Sequence, residues 1–296
     1  MILTAFDTLI VLGLKGKNFR DLEAIMLGLI ATIGVGYIVE LALVKPHWPA
    51  VAAGLVPSLS TLSEREPLYL AIGILGATVM PHNLYLHSSI VQTRVVKRDT
   101  KSLASAVGLS RLDTIVSLML ALLINAAILI LAASAFHATG HTQVTEIEDA
   151  YKLLAPIVGS GLAAILFAVT LFASGQSSTF TGTIAGQVIM EGFLRLKIPC
   201  YQRRLITRVL ALVPALIGVY LMGNGAVGKL LVASQVMLSL QLPFALYPLI
   251  RMTSDRALMG QFANAPHMKL LAWLLFVVIS AANIWLVVQT ATDWFA

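Results

Sequence analysis

The middle of one apolar segment has the sequence Gly76-Ala77-Thr78-Val79-Met80-Pro81-His82-Asn83-Leu84-Tyr85-Leu86-His87-Ser88. The segment runs from Leu68 to Val91, and crossing a bilayer takes about 20 residues. Pro81 removes one helical hydrogen bond and clashes with the preceding turn, so the sequence predicts a break or kink here. In transporters, a break within a membrane helix frees backbone carbonyls that coordinate ions at the bilayer midplane. A proline kink that serves only packing is the alternative interpretation.

The composition around this segment is typical of a polytopic membrane protein. The 296 residues are 58% apolar and only 11% charged, with a mean hydropathy of +0.88. Soluble domains carry about 25% charged residues, so this chain has too few polar side chains to coat a water-exposed surface. The high apolar content excludes disorder, and the single cysteine, Cys200, excludes a disulfide framework.

Eight apolar segments are predicted to be transmembrane helices, because an unpaired backbone group in lipid is costly and strand alternation is absent. The first segment has only 13 residues and is interpreted as a spanning helix whose beginning is absent. The fifth is too long for one span, so its end past Ser177 is expected to continue as a cytoplasmic helix. The segments are Ile2–Leu14, Leu22–Val44, Leu68–Val91, Leu112–Phe136, Pro156–Ile189, Leu205–Met222, Leu230–Ile250 and Leu270–Ala291.

Basic residues predict the orientation of these helices. Of the 20 lysines and arginines, 16 lie in the loops after the first, third, fifth and seventh segments, and the other 4 lie in the opposite loops. Cytoplasmic loops are enriched in Lys and Arg, so those four loops are predicted to be cytoplasmic and both chain ends to face outward. Orientation and anionic lipid account for the net charge of +6, and no nucleic-acid partner is needed.

Polar residues around the predicted break indicate an ion site. His82 and His87 lie inside the membrane segment, where ionisable groups usually mark ion paths or proton relays. Asn83 lies one helical turn before His87 on the same face. Met80 lies at the break itself, where a thioether is a soft ligand that favours Mn²⁺, Fe²⁺ or heavier metals over Mg²⁺ and Ca²⁺. A methionine that only fills the core is the alternative.

Other polar residues in the segments receive simpler interpretations. Glu40 ends the second segment, where an interfacial carboxylate is expected to be solvated. Asn125 and Asn283 are expected to join helices through hydrogen bonds. Gln235 and Gln241, in the seventh segment, are either interhelical hydrogen-bonding groups or ligands, and the residues alone leave both interpretations open.

The sequence Gly76–Ser88 resembles the signature of the Nramp family, in its bacterial manganese-transporter branch. The resemblance continues at Tyr37–Glu40, Ala185–Phe193 and Ser234–Ser239, and it covers essentially the whole chain. It implies an all-α polytopic membrane protein with a LeuT-type fold, in which two inverted five-helix repeats are followed by an eleventh helix.

The eight segments then correspond to family helices four to eleven within a single transmembrane domain. Residues 1–44 would end the first inverted repeat, 68–250 would form the second, and 268–291 would form the extra helix. The family departs from this sequence at its first helix, because the Asp-Pro-Gly-Asn break that supplies a carboxylate and an amide ligand does not occur here. The acidic residues of the family's third helix are missing too. We therefore expect a truncated or partial chain that does not transport metal alone.

The resemblance also implies a function and a set of site residues. It implies proton-coupled import of Mn²⁺ and Fe²⁺ through the bacterial inner membrane, with metal ions, protons and the lipid bilayer as partners. No bound cofactor and no enzymatic activity are expected. The implied metal ligands are the Ala77 carbonyl, the Met80 thioether and Gln235; the implied proton pathway contains His82, His87 and Arg208; and the helix break contains Gly76, Pro81 and Asn83.

Two other function classes are compatible with parts of the sequence. A membrane-embedded metalloenzyme would use the pairs His82–His87 and His137–His141. Six histidines in all are too few for a di-metal site, however, and the predicted topology places the two pairs at different heights. An amino-acid transporter of the same fold would have no use for a thioether at the break.

Overall fold

The computed structural model is built from helices. It describes residues 19–56, 65–92, 94–97, 99–140, 144, 146–193, 199–223 and 227–295, and these contain no strand. A π-helical turn (Ala133–His137) extends α5, and a 3₁₀ turn (Gly260–Phe262) follows α10. The helices are α1 (Phe19–Val44), α2 (Trp48–Gly54), α3 (Arg65–Thr78), α4 (Pro81–Val91), α5 (Thr100–Ala132), α6 (Ile147–Val158), α7 (Gly161–Phe193), α8 (Cys200–Met222), α9 (Val227–Thr253), α10 (Arg256–Met259) and α11 (Pro266–Phe295).

Five helices of the described residues are long and apolar enough to cross a membrane. Seven of the eight predicted segments are helical. Two of these seven are not among the five spans: the apolar stretch of α8 is shorter, and the third segment is divided into α3 and α4. The first predicted segment, Ile2–Leu14, lies outside the described residues. Large apolar side chains on these helices are exposed: Leu27, Ile38 and Leu123 are 62%, 66% and 65% exposed. The five spans are Ala24–Val44, Thr100–His137, Gly161–Phe193, Val227–Thr253 and Pro266–Val288.

The contacts divide the described residues into two compact units, and the first lies within Met1–Val56 and Ser89–Gly225. In this unit α1 packs on α5 and α7, and α7 also packs on α6 and α8. Tyr37 of α1 forms a buried cluster with Ala127 and Leu131 of α5. Where α1 meets α7, a Cβ atom on Gly36 would overlap the side chain of Thr170. The missing side chain therefore lets the two helices approach closely.

The second unit lies within Pro57–Ser88 and Ala226–Ala296. Its central helix is α9, which packs on α3 and on α11. Ile72, Val236 and Leu286, one from each of these three helices, form its buried core. Each of the three helices contributes an apolar residue from the face that it turns toward the other two, as expected for helices with apolar residues at helical spacing.

Helix α5 begins twelve residues earlier than hydropathy predicts, at Thr100 rather than Leu112. Asp99 caps it, because its carboxylate accepts a hydrogen bond from the Ser102 N–H at 3.0 Å. The same bond favours the charged form and lowers the pKa of Asp99. The first turns of α5 are partly polar, and hydropathy marks only where the apolar region begins. The predicted boundary is therefore the start of the apolar region and not the start of the helix.

The fifth predicted segment begins at Gly161 and not at Pro156. Gly159 adopts a left-handed conformation with φ 71° and ends α6, so the two helices are separate. Pro156 belongs to α6, a 12-residue amphipathic helix. Its Leu154 is buried, and its Lys152 faces solvent.

Candidate metal-binding site

The third predicted transmembrane segment is broken between Thr78 and Pro81. Helix α3 ends at Thr78, α4 begins at Pro81, and Val79 and Met80 between them are not helical. The Val79 N–H donates to the Leu75 carbonyl at 2.9 Å and closes the last turn of α3. The break therefore consists of two residues, one of which carries a thioether.

Pro81 explains the position of the break. A helix that continued through residue 81 would need an N–H there to bind the Ala77 carbonyl four residues earlier, and proline has none. Pro81 instead occupies the first position of α4, where a missing N–H is tolerated. The Met80 carbonyl accepts from the Asn83 N–H at 3.1 Å and starts the new helix. Pro81 thus removes the helical donor of the Ala77 carbonyl, three residues before the half-buried Met80 side chain.

Gly76 brings the end of α3 against the backbone of α9. A Cβ atom on Gly76 would overlap the Gln235 carbonyl oxygen and lie 2.9 Å from the Ser239 nitrogen. Gly73, almost one turn earlier, leaves 3.6 Å between its own Cβ position and Val236. Two glycines on one face of α3 therefore set a close helix crossing. The crossing places Gln235 beside the residue that precedes Ala77.

The Gln235 side chain has one oxygen that is available as a ligand. Its Nε2 donates to the Ser234 hydroxyl at 3.1 Å. Its Oε1 is buried and has no hydrogen-bond partner in the described part of the chain. Buried polar atoms are nearly always paired, and one that is not calls for a functional or structural explanation. Gln241, the other glutamine of α9, is exposed.

A proline also interrupts the hydrogen bonding of α9, just after the Gln235 turn. Pro243 has no N–H for the Ser239 carbonyl, four residues earlier. The Asn283 side chain of α11 replaces that donor: its Nδ2 lies 3.0 Å from the Ser239 oxygen, and both residues are buried. The expectation that Asn283 joins two helices is confirmed. The last helix therefore holds the segment of α9 that presents Gln235.

The candidate donor atoms on α3, on the break and on the adjoining turn of α9 are the Met80 sulfur, the Ala77 carbonyl oxygen and the Gln235 amide oxygen. Among the described residues there is no group of three or more His, Cys, Asp and Glu side chains placed to hold a metal ion. A set of this kind, with one thioether, matches transition metals better than Mg²⁺ or Ca²⁺, which prefer oxygen alone.

The sequence matches a known family over nearly its whole length. The model of the family described as "Natural resistance-associated macrophage protein-like" (Nramp) matches residues 1–289. The chain belongs to the Nramp family.

Similar proteins are named as metal transporters. "Divalent metal cation transporter MntH" of Ralstonia nicotianae is 70% identical over 287 residues, which cover 97% of this Nramp chain and 65% of the relative. "Divalent metal cation transporter MntH 1" of Pseudomonas aeruginosa is 72% identical over 284 residues, with 96% and 65% covered.

A solved structure confirms the fold. The manganese transporter of Eremococcus coleocola, solved in complex with an aromatic bis-isothiourea substituted compound, matches with a TM-score of 0.86 and 36% identity. The match covers 100% of this Nramp chain and 65% of that one. The predicted all-α, LeuT-type class is therefore correct. The chain spans about 65% of the length of the relatives it matches.

The structure distributes the Nramp site residues over two units. Gly76, Ala77 and Met80 lie at the break, and Gly76 contacts the backbone of Gln235 within the second unit. On α4, which starts at Pro81, His82 is half-buried, whereas Asn83 and His87 are exposed together on another face. Arg208 lies in α8, and its side chain is outside the described residues.

Glu40, which is not among the predicted site residues, differs from the sequence prediction. The sequence predicts a solvated carboxylate at the end of the span, but the residue is 0% exposed. Gly36, one turn earlier on the same face, lets α1 approach α7 closely, and this crossing covers the glutamate. The signal that points to burial is therefore the glycine four residues before the carboxyl group.

Proposed function

We propose that the protein is a secondary transporter that carries divalent transition-metal ions, Mn²⁺ and Fe²⁺, through the bacterial inner membrane together with protons. The observation that carries this proposal is the broken helix, which bears the Met80 thioether and the Ala77 carbonyl without its helical donor, and whose Gly76 packs against the backbone of Gln235. The names of the similar proteins, divalent metal cation transporters and a manganese transporter, support the same substrate class.

In this proposal the three ligands have different tasks. The Ala77 carbonyl and the Gln235 amide replace part of the hydration shell that the ion loses on entering the membrane. The Met80 sulfur favours polarisable ions over Mg²⁺ and Ca²⁺, which are abundant competitors with hard-ligand preferences. These three ligands are all neutral, and the resemblance assigns the balancing carboxylate to the family's first helix, whose Asp-Pro-Gly-Asn break does not occur in this sequence.

Protons in this proposal move through His82, His87 and Arg208. The two histidines lie on α4, which begins at the break, so a displacement of α4 that opens the metal site also moves both imidazoles. Histidine suits the role because its charge changes near neutral pH. Movement of such a broken helix against its surroundings is how transporters of this architecture alternate access.

The test is metal uptake by the full-length protein in proteoliposomes, with and without an inward proton gradient. For Met80→Ala we expect the preference for Cd²⁺ or Mn²⁺ over Ca²⁺ to fall by about tenfold or more, which is about 1.4 kcal/mol of selectivity. Met237→Ala is the matched control, because Met237 lies on α9 with 59% of its surface exposed.

Each part of the proposal has its own contrary result. An unchanged metal preference in Met80→Ala would exclude the sulfur as a ligand. Uptake that ignores the proton gradient would exclude coupling, even if metal transport itself is present. An absence of metal uptake under every condition would reject the transporter assignment.

A further inference from the structure

Glu40 in α1 is a buried carboxyl group that the metal site does not use. The residue is 0% exposed, and neither Oε1 nor Oε2 has a hydrogen-bond partner among the described residues. Ionisable residues inside membrane helices are rare, and one without a structural partner is a functional-site hypothesis by default. In a span of low polarity, an unpaired carboxyl group is far more stable in the neutral form than as a carboxylate.

The two helices packed against α1 bring no basic group to Glu40. On α5, residues 114–136 contain no charged residue, and Asp113 lies about 20 Å along the axis from the Ala127 contact, at ~1.5 Å per residue. On α7, the charged residue is Glu191, about 30 Å along the axis from the Thr170 contact by the same rise. The neighbouring titratable group on α1 itself is Tyr37, three residues earlier.

The charged groups at the outer end of this unit point elsewhere. Glu148 and Lys152 of α6 form a loose ion pair at 3.9 Å, with side chains that are 85% and 67% exposed. Asp149 of α6 is exposed, as are Lys45 and His47 after the end of α1. In the described residues, therefore, no positive charge lies where it would hold Glu40 as a carboxylate.

A cavity of about 220 Å³ reaches the helical turn that precedes Glu40. Its lining includes Tyr37 of α1, Phe136 of the π-helical turn, Phe167 of α7 and Glu146 before α6. The volume is large enough for several water molecules, each of which occupies about 30 Å³ in the liquid. Glu146 lies in a loop that the charge pattern assigns to the outer side, so the cavity leads from that side toward Glu40.

The π-helical turn is built into the wall of this cavity. The Ala138 N–H donates to the Ala133 carbonyl at 3.0 Å, five residues back, and this widened turn lines the cavity with Phe136. The Thr139 hydroxyl caps the Ala135 carbonyl at 2.6 Å. Turns of this kind are rare and occur frequently at functional sites.

We propose that Glu40 is a proton-binding site, on a different helix from the metal-binding break, that exchanges its proton with the outer solution through the cavity beside Tyr37 and Phe136. In the exchange, a water molecule that passes Tyr37 from the cavity accepts the proton of the carboxyl O–H and becomes a hydronium ion, leaving a carboxylate; the reverse transfer reloads it. Glu40 lies four residues, about 6 Å along the axis, from the end of α1 at Val44, so the outer end of the span is near.

Infrared spectroscopy of the purified protein in lipid vesicles tests the proposal without any metal or transport. At neutral pH we expect the carbonyl-stretch band of a protonated carboxylic acid, and Glu40→Gln should lose it. Glu148→Gln, which removes an exposed carboxylate, should leave the band unchanged. Glu40→Asp should keep a band at a shifted frequency, which separates loss of the acid from loss of the fold.

Exchange through the cavity is tested by the rate at which this band shifts after transfer to heavy water. Ala150→Leu places a larger side chain in the cavity lining and should slow the shift. The proposal is overturned if the wild-type protein lacks the band, if Glu40→Gln keeps it in full, or if Ala150→Leu leaves the exchange rate unchanged. None of these outcomes depends on metal transport, so the proposed function stands or falls separately.

Discussion

Gly76 sets the distance between the broken helix and α9. No larger residue fits, because the Cβ atom of any other residue would overlap the Gln235 carbonyl oxygen. Backbone atoms of a helix cannot yield as a flexible side chain does, so a substitution has to move one helix away from the other. Gln235 would then be displaced from Ala77 and Met80, and the ligand geometry would change with the packing.

For Gly76→Ala we expect a loss of about 1–3 kcal/mol in the free energy of unfolding, the usual cost of overpacking a core. The measurement is the midpoint of thermal unfolding in detergent, together with the affinity for Mn²⁺. Gly108→Ala is the control, since nothing lies within 4 Å of its Cβ position in α5. It should gain about 0.5–1 kcal/mol through helix propensity. Equal midpoints for the two variants would contradict the close crossing.

At the scale of helices, α9 receives a hydrogen bond from another helix at the point where its own series of backbone hydrogen bonds is interrupted. Pro243 leaves the Ser239 carbonyl without its helical donor, and Asn283 of α11 supplies one at 3.0 Å. The turn of α9 that carries Gln235 precedes this point, and the part beyond it is free to bend about the proline. The bond to α11 therefore fixes the angle at which Gln235 is presented.

Replacing Asn283 by alanine should destabilise the protein by about 1–3 kcal/mol, because the buried Ser239 carbonyl loses its donor. The affinity for Mn²⁺ should fall as well, since Gln235 is less well positioned. Thermal unfolding and metal titration of the same preparations measure both effects. Asn125→Ala, at an exposed position of α5, is the control. An Asn283 variant that behaves like this control would show that Ser239 needs no partner.

The helices and the break were predictable because they depend on local properties of the sequence. Hydropathy gives the spans, and the missing N–H of Pro81 gives the break at its observed place. The sequence does not reveal helix α6, because a third of its 12 residues are polar and it is too short for a span. Its end at Gly159 depends on a backbone angle that composition does not reveal.

The site was predictable only in part, because contacts between helices decide the rest. Met80 follows from its position in the motif, but the choice between Gln235 and Gln241 depends on which face of α9 meets Gly76. Burial of Glu40 likewise depends on the Gly36–Thr170 crossing. Neither pairing is contained in the hydropathy of a single segment.

At the scale of the whole molecule, the exposed apolar surface and the distribution of basic residues together predict how the helices are oriented in the membrane. The spanning helices expose large apolar side chains, and 16 of the 20 lysines and arginines lie in the four loops predicted to be cytoplasmic. The same pattern assigns the loops after α1 and after the π-helical turn to the outer side. The cavity beside Tyr37 then lies toward the outer solution.

Labelling of single cysteines tests this orientation in a Cys200→Ser background, which removes the one cysteine of this sequence. Lys152→Cys should react with a membrane-impermeant maleimide added to intact cells. Lys101→Cys should react only after the cells are permeabilised. Both lysines are exposed, so accessibility within the protein does not limit either reaction. The reverse pattern of labelling would invert the whole topology.

The bond between Asn283 and the Ser239 carbonyl has an evolutionary consequence. Asn283 is needed only while position 243 lacks an N–H, because any other residue there would restore the helical donor to Ser239. Positions 243 and 283 should therefore be epistatic: a lineage that loses the proline becomes free to lose the asparagine. A lineage that keeps the proline should tolerate few replacements at 283. This constraint links α9 and α11, although positions 243 and 283 are 40 residues apart in the sequence.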